Sequence, residues 1–208
     1  MDVDPGIICY QHCHAKKKIF SFIFHDVCDL CHADISDVEL RVPPFRIPYP
    51  FKGASHEFNS VVIKPSVGDF LNSYENSSDL HIGVTDTNGC VFEYNYSGKL
   101  KSNGKDWKQC IAIKLSSNKS SSFQRYWDEV LNETFEQECW TPQRYDSENY
   151  NCYTFVLTFL RRLKMDDLSP FIADKYSFCQ HYVSPQARIA AKYISLYRQL
   201  KTKSVIIQ

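Results

Sequence analysis

Apolar and polar residues alternate along much of the chain from Phe58 to Leu115, and this period of two predicts β-strands. Strands are expected in FNSVVIK, HIGVTD, CVFEYNY and CIAIKLS, with a short helix or turn in VGDFLNSYEN. Beyond this region the apolar residues recur every three to four positions, as in helices. The change of period predicts an α+β fold in which an antiparallel sheet is flanked by helices.

Three later segments have helical spacing. The first, SSFQRYWDEVLNETFEQECW, is expected to be capped by Ser122. The second begins within Asn149–Asn151, so that Cys152 lies in its first turn. The third is expected to begin at Ser184, which would cap the helix while Pro185 occupies the first turn.

The segment HIGVTDTNGCVFEYN predicts a hairpin whose register follows from its turn. Asp86 suits the first position of a type I turn and Gly89 the left-handed position that follows, which pairs Asp86 with Cys90. A two-residue turn would instead mix apolar and polar side chains on both faces. The favoured register separates an apolar face from a polar one: Ile82, Val84, Phe92 and Tyr94 against His81, Gly83, Thr85, Glu93 and Asn95.

Composition limits the classes of protein that need to be considered. The chain has 208 residues, of which 43% are hydrophobic and 23% charged, so one main folded domain with a small appendage is expected. A net charge of zero provides no overall attraction to nucleic acid. No apolar stretch is long enough for a transmembrane segment, and the N-terminus does not resemble a secretory signal. We therefore expect an intracellular protein, cytoplasmic or nuclear, with reduced cysteines.

Four of the nine cysteines lie within the first 31 residues, as the pairs Cys9/Cys13 and Cys28/Cys31. Zinc prefers four thiolate or imidazole ligands, and a hairpin through KKKIFSFIF would bring the two pairs together. We therefore predict a zinc-ribbon-like finger over residues 1–40, with either Cys9 or His12 as the fourth ligand of a structural zinc ion. The alternative is a cysteine-rich tail whose ligands do not converge.

A proline-rich segment, RVPPFRIPYPF, follows the predicted finger. Its four prolines exclude a helix and favour an extended chain, so we interpret residues 41–52 as a connector. The α+β domain is then expected over residues 53–208.

Cys152 and His81 are the candidate catalytic residues. In a first helical turn the helix dipole favours the thiolate, and nearby backbone N–H groups can stabilise an oxyanion. A general base also needs an acceptor for its second ring nitrogen, for which Asn95 is the first choice and Glu93 the second. If the pair meets, the protein is a candidate cysteine hydrolase or acyltransferase. The alternative is a cysteine that fills the core of a binding or scaffold module.

Taken together, SDLHIGVTDTNGCVFEYN and YNCYTFVLTFL resemble the makorin 2 opposite strand protein family. The two N-terminal metal-ligand pairs, the proline-rich connector and SPQARIAAKYISLYR also fit, so the resemblance covers most of the chain. This resemblance implies how the chain is divided into segments, but it implies no activity, because the family has no established one.

More distantly, a strand His-x-Gly followed by a helix-start Asn-Cys resembles the circularly permuted papain-like superfamily, which includes NlpC-type proteins, lecithin retinol acyltransferase-like enzymes and PPPDE peptidases. This resemblance implies a permuted papain-like fold, with Cys152 as nucleophile, His81 as base, and Asn95 or Glu93 as the third polar group. NCYTF departs from the peptidase pattern NCxHF, so the resemblance leaves open whether a protein or an acyl compound is the substrate.

Overall fold

The part of the chain that the structure describes contains two antiparallel sheets, each within its own structural unit. The computed structural model describes residues 5–75, 77–116 and 120–208. Unit 1 contains residues 5–50 and 191–208, and unit 2 contains residues 51–190. The predicted α+β class is confirmed.

Unit 1 is built on a four-stranded sheet. Its strands are β1 (Ile8–Gln11), β2 (Ile19–Ser21), β3 (Val42–Arg46) and β9 (Val205–Ile207), arranged in the order β3-β1-β2-β9. The KKKIFSFIF stretch contributes β2, the antiparallel partner of β1. The core beside this sheet consists of Tyr10, Ile19, Cys28 and Ile35.

The boundaries of unit 1 differ from the predicted finger and connector. Residues 42–46, expected to lie in a connector, form the edge strand β3. An edge strand tolerates Pro43 and Pro44 because one side of its backbone needs no ladder hydrogen bonds. Residues 191–208, expected to belong to the α+β domain, return to unit 1, where β9 pairs with β2.

Unit 2 contains a five-stranded antiparallel sheet. Its strands are β4 (Val61–Pro65), β5 (Leu80–Thr85), β6 (Val91–Asn95), β7 (Gly98–Ser102) and β8 (Ile111–Ile113). They are arranged in the order β7-β6-β5-β4-β8, so the hairpin that carries His81 lies in the interior of the sheet.

The β5–β6 hairpin has the predicted register. Gly83 lies opposite Glu93, and Val84 lies opposite Phe92. The turn forms as expected, since the Asp86 N–H donates to the Cys90 carbonyl at 3.0 Å and Gly89 has a φ of 76°. His81 and Glu93 therefore share one face of the sheet.

The described residues contain four α-helices: α1 (Ser121–Phe135), α2 (Cys152–Arg162), α3 (Lys175–Phe178) and α4 (Ser184–Lys203). Ser120, not Ser122, caps α1 by accepting a hydrogen bond from the Phe123 N–H. Aromatic contacts join α1 to α2 and to the sheet, with ring centroids 4.9 Å apart for Trp127–Phe159 and 5.1 Å apart for Phe92–Phe135. In the described part of the chain, no helix is long and apolar enough to cross a membrane.

The prediction that Ser184 caps a new helix is wrong. Its φ of −58° and ψ of −40° are helical, and the helical run begins earlier, at α3, where Asp174 is the cap. A π-helical turn over Cys179–Val183 joins α3 to α4. Pro185 has no N–H to donate and its ring crowds the carbonyl four residues earlier, so the wider turn accommodates it inside a helical segment.

Candidate functional site

Cys152 is the first residue of α2, and the helix begins there because of a reciprocal cap. Asn151 Oδ1 accepts a hydrogen bond from the Tyr153 N–H at 3.0 Å, and Thr154 Oγ1 accepts one from the Asn151 N–H at 3.1 Å. The Asn151 side chain also accepts from the Thr154 N–H. The cap thus engages the N–H groups of Tyr153 and Thr154 but not that of Cys152.

His81 on β5 is held by a carboxylate on the neighbouring strand. Its Nε2–H donates to Oε2 of Glu93, and both side chains are largely buried, with exposed fractions of 12% and 8%. The indole of Trp107 lies on the same side, with its centroid 5.6 Å from that of the imidazole. The ring of His81 is therefore fixed by one charged partner and one aromatic neighbour.

The Cys152 side chain is the second group that acts on the imidazole of His81. Burial alone would lower the pKa of His81, but hydrogen bonds to Cys152 and Glu93, together with their negative charges, raise it to about 9. Because Glu93 engages Nε2, Nδ1 is the ring nitrogen that remains for the thiol. The protonated imidazole is favoured at neutral pH, where it can stabilise a thiolate.

Asn95, the preferred orienting group in the sequence analysis, does not hold the imidazole. Its Oδ1 accepts a hydrogen bond from the Ser97 N–H at 2.8 Å at the turn that leads into β7. An asparagine at a strand end readily bonds to the backbone two residues on, which removes its acceptor from His81. Glu93, the second choice, takes that position, while Asn95 contributes only to the wall of the neighbouring groove.

A groove of about 390 Å³ opens onto the imidazole and the carboxylate. Cys152 has an exposed fraction of only 6%, and it is not one of the residues that line this groove. The groove therefore gives direct access to the base but not to the sulfur. Its lining consists of Lys64, Ser66, His81, Glu93, Asn95, Tyr96, Leu100, Ser102, Asp106, Trp107 and Tyr145.

Gly83, two residues from His81 on the same face, lies against the core. A Cβ at this position would be 2.9 Å from Val91 Cγ1, 3.0 Å from the Phe92 carbonyl oxygen and 3.4 Å from the Trp107 ring. Trp107 and Tyr145 could not be associated with the site from sequence, because both lie outside the periodic segments. Only the fold places them beside His81.

A second group of chemically active side chains lies in unit 1. The ligand atoms of His12, Cys13, Cys28 and Cys31 all lie within 4.8 Å of one another, and His12 Nδ1 is 3.5 Å from Cys31 Sγ. Ligands about 2.0–2.3 Å from a tetrahedral metal ion would be of similar separation. These four residues could therefore hold a metal ion.

Cys9 is not part of this group, which corrects its assignment as a candidate ligand. It lies within β1, where it pairs with Phe20 and Phe45, and its exposed fraction is 1%. The candidate ligands His12 and Cys13 come after the end of β1, where the chain is free to turn. Of the two alternatives for the fourth ligand, the structure brings His12 to the other three.

The backbone around Cys28 forms a tight knuckle. The Leu30 N–H donates to Cys28 Sγ at 3.5 Å, and the His32 N–H donates to the Cys28 carbonyl at 2.8 Å. His32 has a φ of 61°, the left-handed conformation that glycine adopts most easily. The knuckle thus forms even though CDLCH has no glycine.

Two comparisons with known proteins relate this chain to others. The family described as DUF4796 C-terminal matches residues 44–200. The human MKRN2 opposite strand protein is 34% identical to the chain over 200 residues, which cover 96% of the chain and 88% of the human protein. No solved structure matches. The chain therefore belongs to the family described as DUF4796 C-terminal, and it is a relative of the human MKRN2 opposite strand protein.

Proposed function

We propose that unit 2 is a cysteine hydrolase or acyltransferase that acts on an amide, isopeptide or ester bond. The observation that supports this proposal is the imidazole of His81, which is hydrogen-bonded to the carboxylate of Glu93 and whose pKa is raised by the side chains of Cys152 and Glu93. Nucleophilic catalysis needs such a nucleophile, base and orienting group. The order along the chain, with the histidine strand before the cysteine helix, fits a permuted papain-like enzyme.

In the proposed first half-reaction, the Cys152 thiolate attacks the carbonyl carbon of the substrate. The carbonyl electron pair moves to oxygen, and the resulting oxyanion accepts hydrogen bonds at the start of α2, where the cap leaves the Cys152 N–H unengaged. The carbon–nitrogen or carbon–oxygen bond then breaks, and the His81 imidazolium protonates the leaving amine or alcohol. The products are an acyl-cysteine and a neutral imidazole.

In the second half-reaction, neutral His81 removes a proton from water or from an acceptor molecule. The nucleophile attacks the thioester carbon, and the carbon–sulfur bond breaks to regenerate the thiolate and the imidazolium. Water gives hydrolysis, and any other acceptor gives acyl transfer. Glu93 keeps its hydrogen bond to Nε2 throughout, which fixes the ring and stabilises its protonated form.

Thiol labelling tests this proposal. The full-length protein and its Cys152→Ala and His81→Ala variants are treated with iodoacetamide across pH, and modified cysteines are assigned by peptide mass spectrometry, with Cys139→Ala as the control. We expect rapid labelling of Cys152 near neutral pH and a loss of about tenfold or more in His81→Ala. Labelling of several cysteines at equal rates, independent of His81, would contradict the proposal. Acylation of Cys152 by p-nitrophenyl acetate then tests thioester formation.

A second candidate function is a binding or scaffold module that retains the fold without turnover. The low exposure of Cys152, and its position outside the groove wall, favour this alternative. A reactive Cys152 that forms no acyl adduct with any activated ester would support it.

We propose further that the cluster in unit 1 holds a structural zinc ion. Three thiolates and an imidazole are the donors that zinc prefers in closed tetrahedral sites, and four protein ligands leave no position for a substrate. Metal analysis of the purified protein is expected to find one zinc ion per chain, and Cys28→Ser is expected to lose it. No stoichiometric zinc in the wild-type protein would refute the proposal.

A further inference from the structure

We propose that Lys64 binds a carboxylate group of the substrate, so that carboxylate-bearing compounds are the preferred ligands of the groove beside His81. This inference rests on the proposed function, because it names the class of substrate that the proposed site would take. It adds a substrate-binding residue outside the Cys152, His81 and Glu93 set.

Lys64 lies directly beside the imidazole. It is opposite His81 in the antiparallel pair of β4 and β5, so the two side chains share one face of the sheet. Both side chains line the groove of about 390 Å³. Of the described residues that line this groove, Lys64 is the only lysine or arginine. A ligand that enters the groove therefore meets this cation next to the proposed base.

The ammonium group of Lys64 is held against an aromatic ring. Its Nζ lies 4.7 Å from the centroid of Trp107, whose ring is in turn 5.6 Å from that of His81. Trp107 is fixed by the core, since its exposed fraction is only 1%. The face of an indole attracts a cation, and the lysine itself is half-buried. The charge of Lys64 is therefore kept at the groove wall.

The charge of Lys64 differs from that of comparable lysines in having no carboxylate beside it. Lys99 and Lys101, on β7 of the same sheet, also lie over aromatic rings. Each of them has a carboxylate oxygen close by, at 3.2 Å from Glu136 for Lys99 and at 3.8 Å from Asp86 for Lys101. None of the ion pairs in the described part of the chain involves Lys64. Its ammonium group is therefore available to an anion from outside.

The other charges of the groove favour a ligand with a single negative charge. The Glu93 carboxylate is already bound to His81, and the imidazole, with its raised pKa, is protonated at neutral pH. Lys64 and His81 are then two cations directly opposite each other, which is unfavourable until an anion lies between them. Glu93 and the exposed Asp106 on the groove wall would repel a polyanion. One carboxylate therefore fits this wall better than a chain of phosphates.

The test compares two compounds of nearly the same shape and different charge, phenylacetate and phenylacetamide. Each is titrated into the full-length protein with isotope-labelled histidines, and binding is followed by NMR through the ring signals of His81, assigned with His81→Ala. Lys64→Gln and Lys64→Met remove the charge, whereas Lys64→Arg keeps it. Lys101→Gln is the matched control, because Lys101 also lies over a ring of this sheet but does not line the groove.

The wild type is expected to bind phenylacetate about tenfold more tightly than phenylacetamide, because only the carboxylate forms a charge-assisted hydrogen bond with Lys64. Lys64→Gln and Lys64→Met should reduce this preference to about twofold or less, while Lys64→Arg and Lys101→Gln should retain it. Urea unfolding checks that each variant is folded. If Lys64→Gln is not, Lys64→Met decides, since its apolar stem still covers Trp107.

Equal binding of the two compounds by the wild type would overturn the inference. So would a preference for phenylacetate that survives in the folded Lys64→Gln or Lys64→Met variant, or one that is lost equally in Lys101→Gln.

Acylation of Cys152 by p-nitrophenyl acetate, a neutral ester, separates this inference from the proposed function. If the ester does not acylate Cys152 while the preference for phenylacetate still depends on Lys64, the proposed function fails and the carboxylate site remains. If the ester acylates Cys152 but phenylacetate and phenylacetamide bind equally, the role of Lys64 fails and the proposed function stands.

Discussion

The Nε2–H of His81 donates a hydrogen bond to the carboxylate of Glu93 across two central strands of the unit 2 sheet. Carboxylates are rarely buried without a charged partner, and this one is nearly inaccessible to solvent. The pair therefore does more than orient the ring. Together with Cys152, the carboxylate also raises the pKa of the imidazole.

Replacing Glu93 by glutamine should weaken the nucleophile. The amide can still accept a hydrogen bond but carries no charge, so the pKa of His81 should fall and less thiolate should be stabilised at neutral pH. We expect iodoacetamide labelling of Cys152 at neutral pH to slow about tenfold in Glu93→Gln. Asn95→Ala is the matched control and should change the rate by less than about twofold. An equal loss of labelling rate in Glu93→Gln and Asn95→Ala would contradict this prediction and would mean that Asn95 also supports the imidazole.

Stability should decrease at alkaline pH because of His81. Its pKa is about 9 in the folded protein against an ordinary value of 6.5, so the protonated form stabilises the fold. That contribution to the free energy of unfolding is fully present below pH 6.5 and is lost as the pH rises through about 9. Its size is roughly 3 kcal/mol. Urea unfolding of wild type and His81→Gln, measured below and above this range, checks the prediction. A wild-type pH dependence identical to that of His81→Gln would contradict it.

Local turn chemistry made the hairpin predictable from sequence. Asp86 and Gly89 determine the turn, and the turn fixes the face that His81 shares with Glu93. The choice between Glu93 and Asn95 was not predictable in this way, because it depends on a competing hydrogen bond from the backbone of Ser97. Sequence periodicity says which face a side chain occupies, but not which of several partners it bonds.

Pairing between strands that are far apart in the sequence explains why β3 and β9 were not predicted. Residues 42–46 were predicted as a connector from their prolines, and they form a strand only because β1 offers a partner. The short apolar run Val205–Ile207 gave no clear signal, and it becomes a strand by pairing with β2. Neither element can be recognised from its own residues, since both depend on a neighbour far away in the sequence.

Gly83→Ala should destabilise the site. The added methyl group would crowd the Val91 side chain and the Phe92 carbonyl oxygen, and it would press on Trp107 beside His81. We expect a loss of about 1–3 kcal/mol in the free energy of unfolding, together with slower labelling of Cys152. Gly53→Ala is the control, because its nearest neighbours are 3.6 and 3.8 Å away and its backbone is unstrained. If neither substitution lowers the free energy of unfolding in urea, the prediction is wrong. The side chains around Gly83, including Trp107, can then move to accommodate the methyl group.

Metal content should distinguish Cys13 from Cys9. Cys13 is exposed and belongs to the candidate ligand set, so Cys13→Ser removes a ligand without disturbing the core. Cys9 is buried in β1 outside that set, so Cys9→Ser should lower stability but leave the metal content unchanged. Metal analysis and thermal unfolding of the two variants provide the two measurements. Loss of metal from Cys9→Ser, with retention by Cys13→Ser, would reverse the ligand assignment.

His32→Gly should strengthen the knuckle that follows Cys28. A non-glycine residue in the left-handed conformation carries a cost that glycine avoids, and His32 has a φ of 61°. We expect the variant to gain about 1 kcal/mol in the free energy of unfolding and to retain its metal at higher concentrations of a competing chelator. Asn59→Gly relieves a similar backbone conformation in unit 2 and should leave metal retention unchanged. If His32→Gly instead releases the metal more readily, the prediction fails. The side chain of His32 would then help to retain the metal.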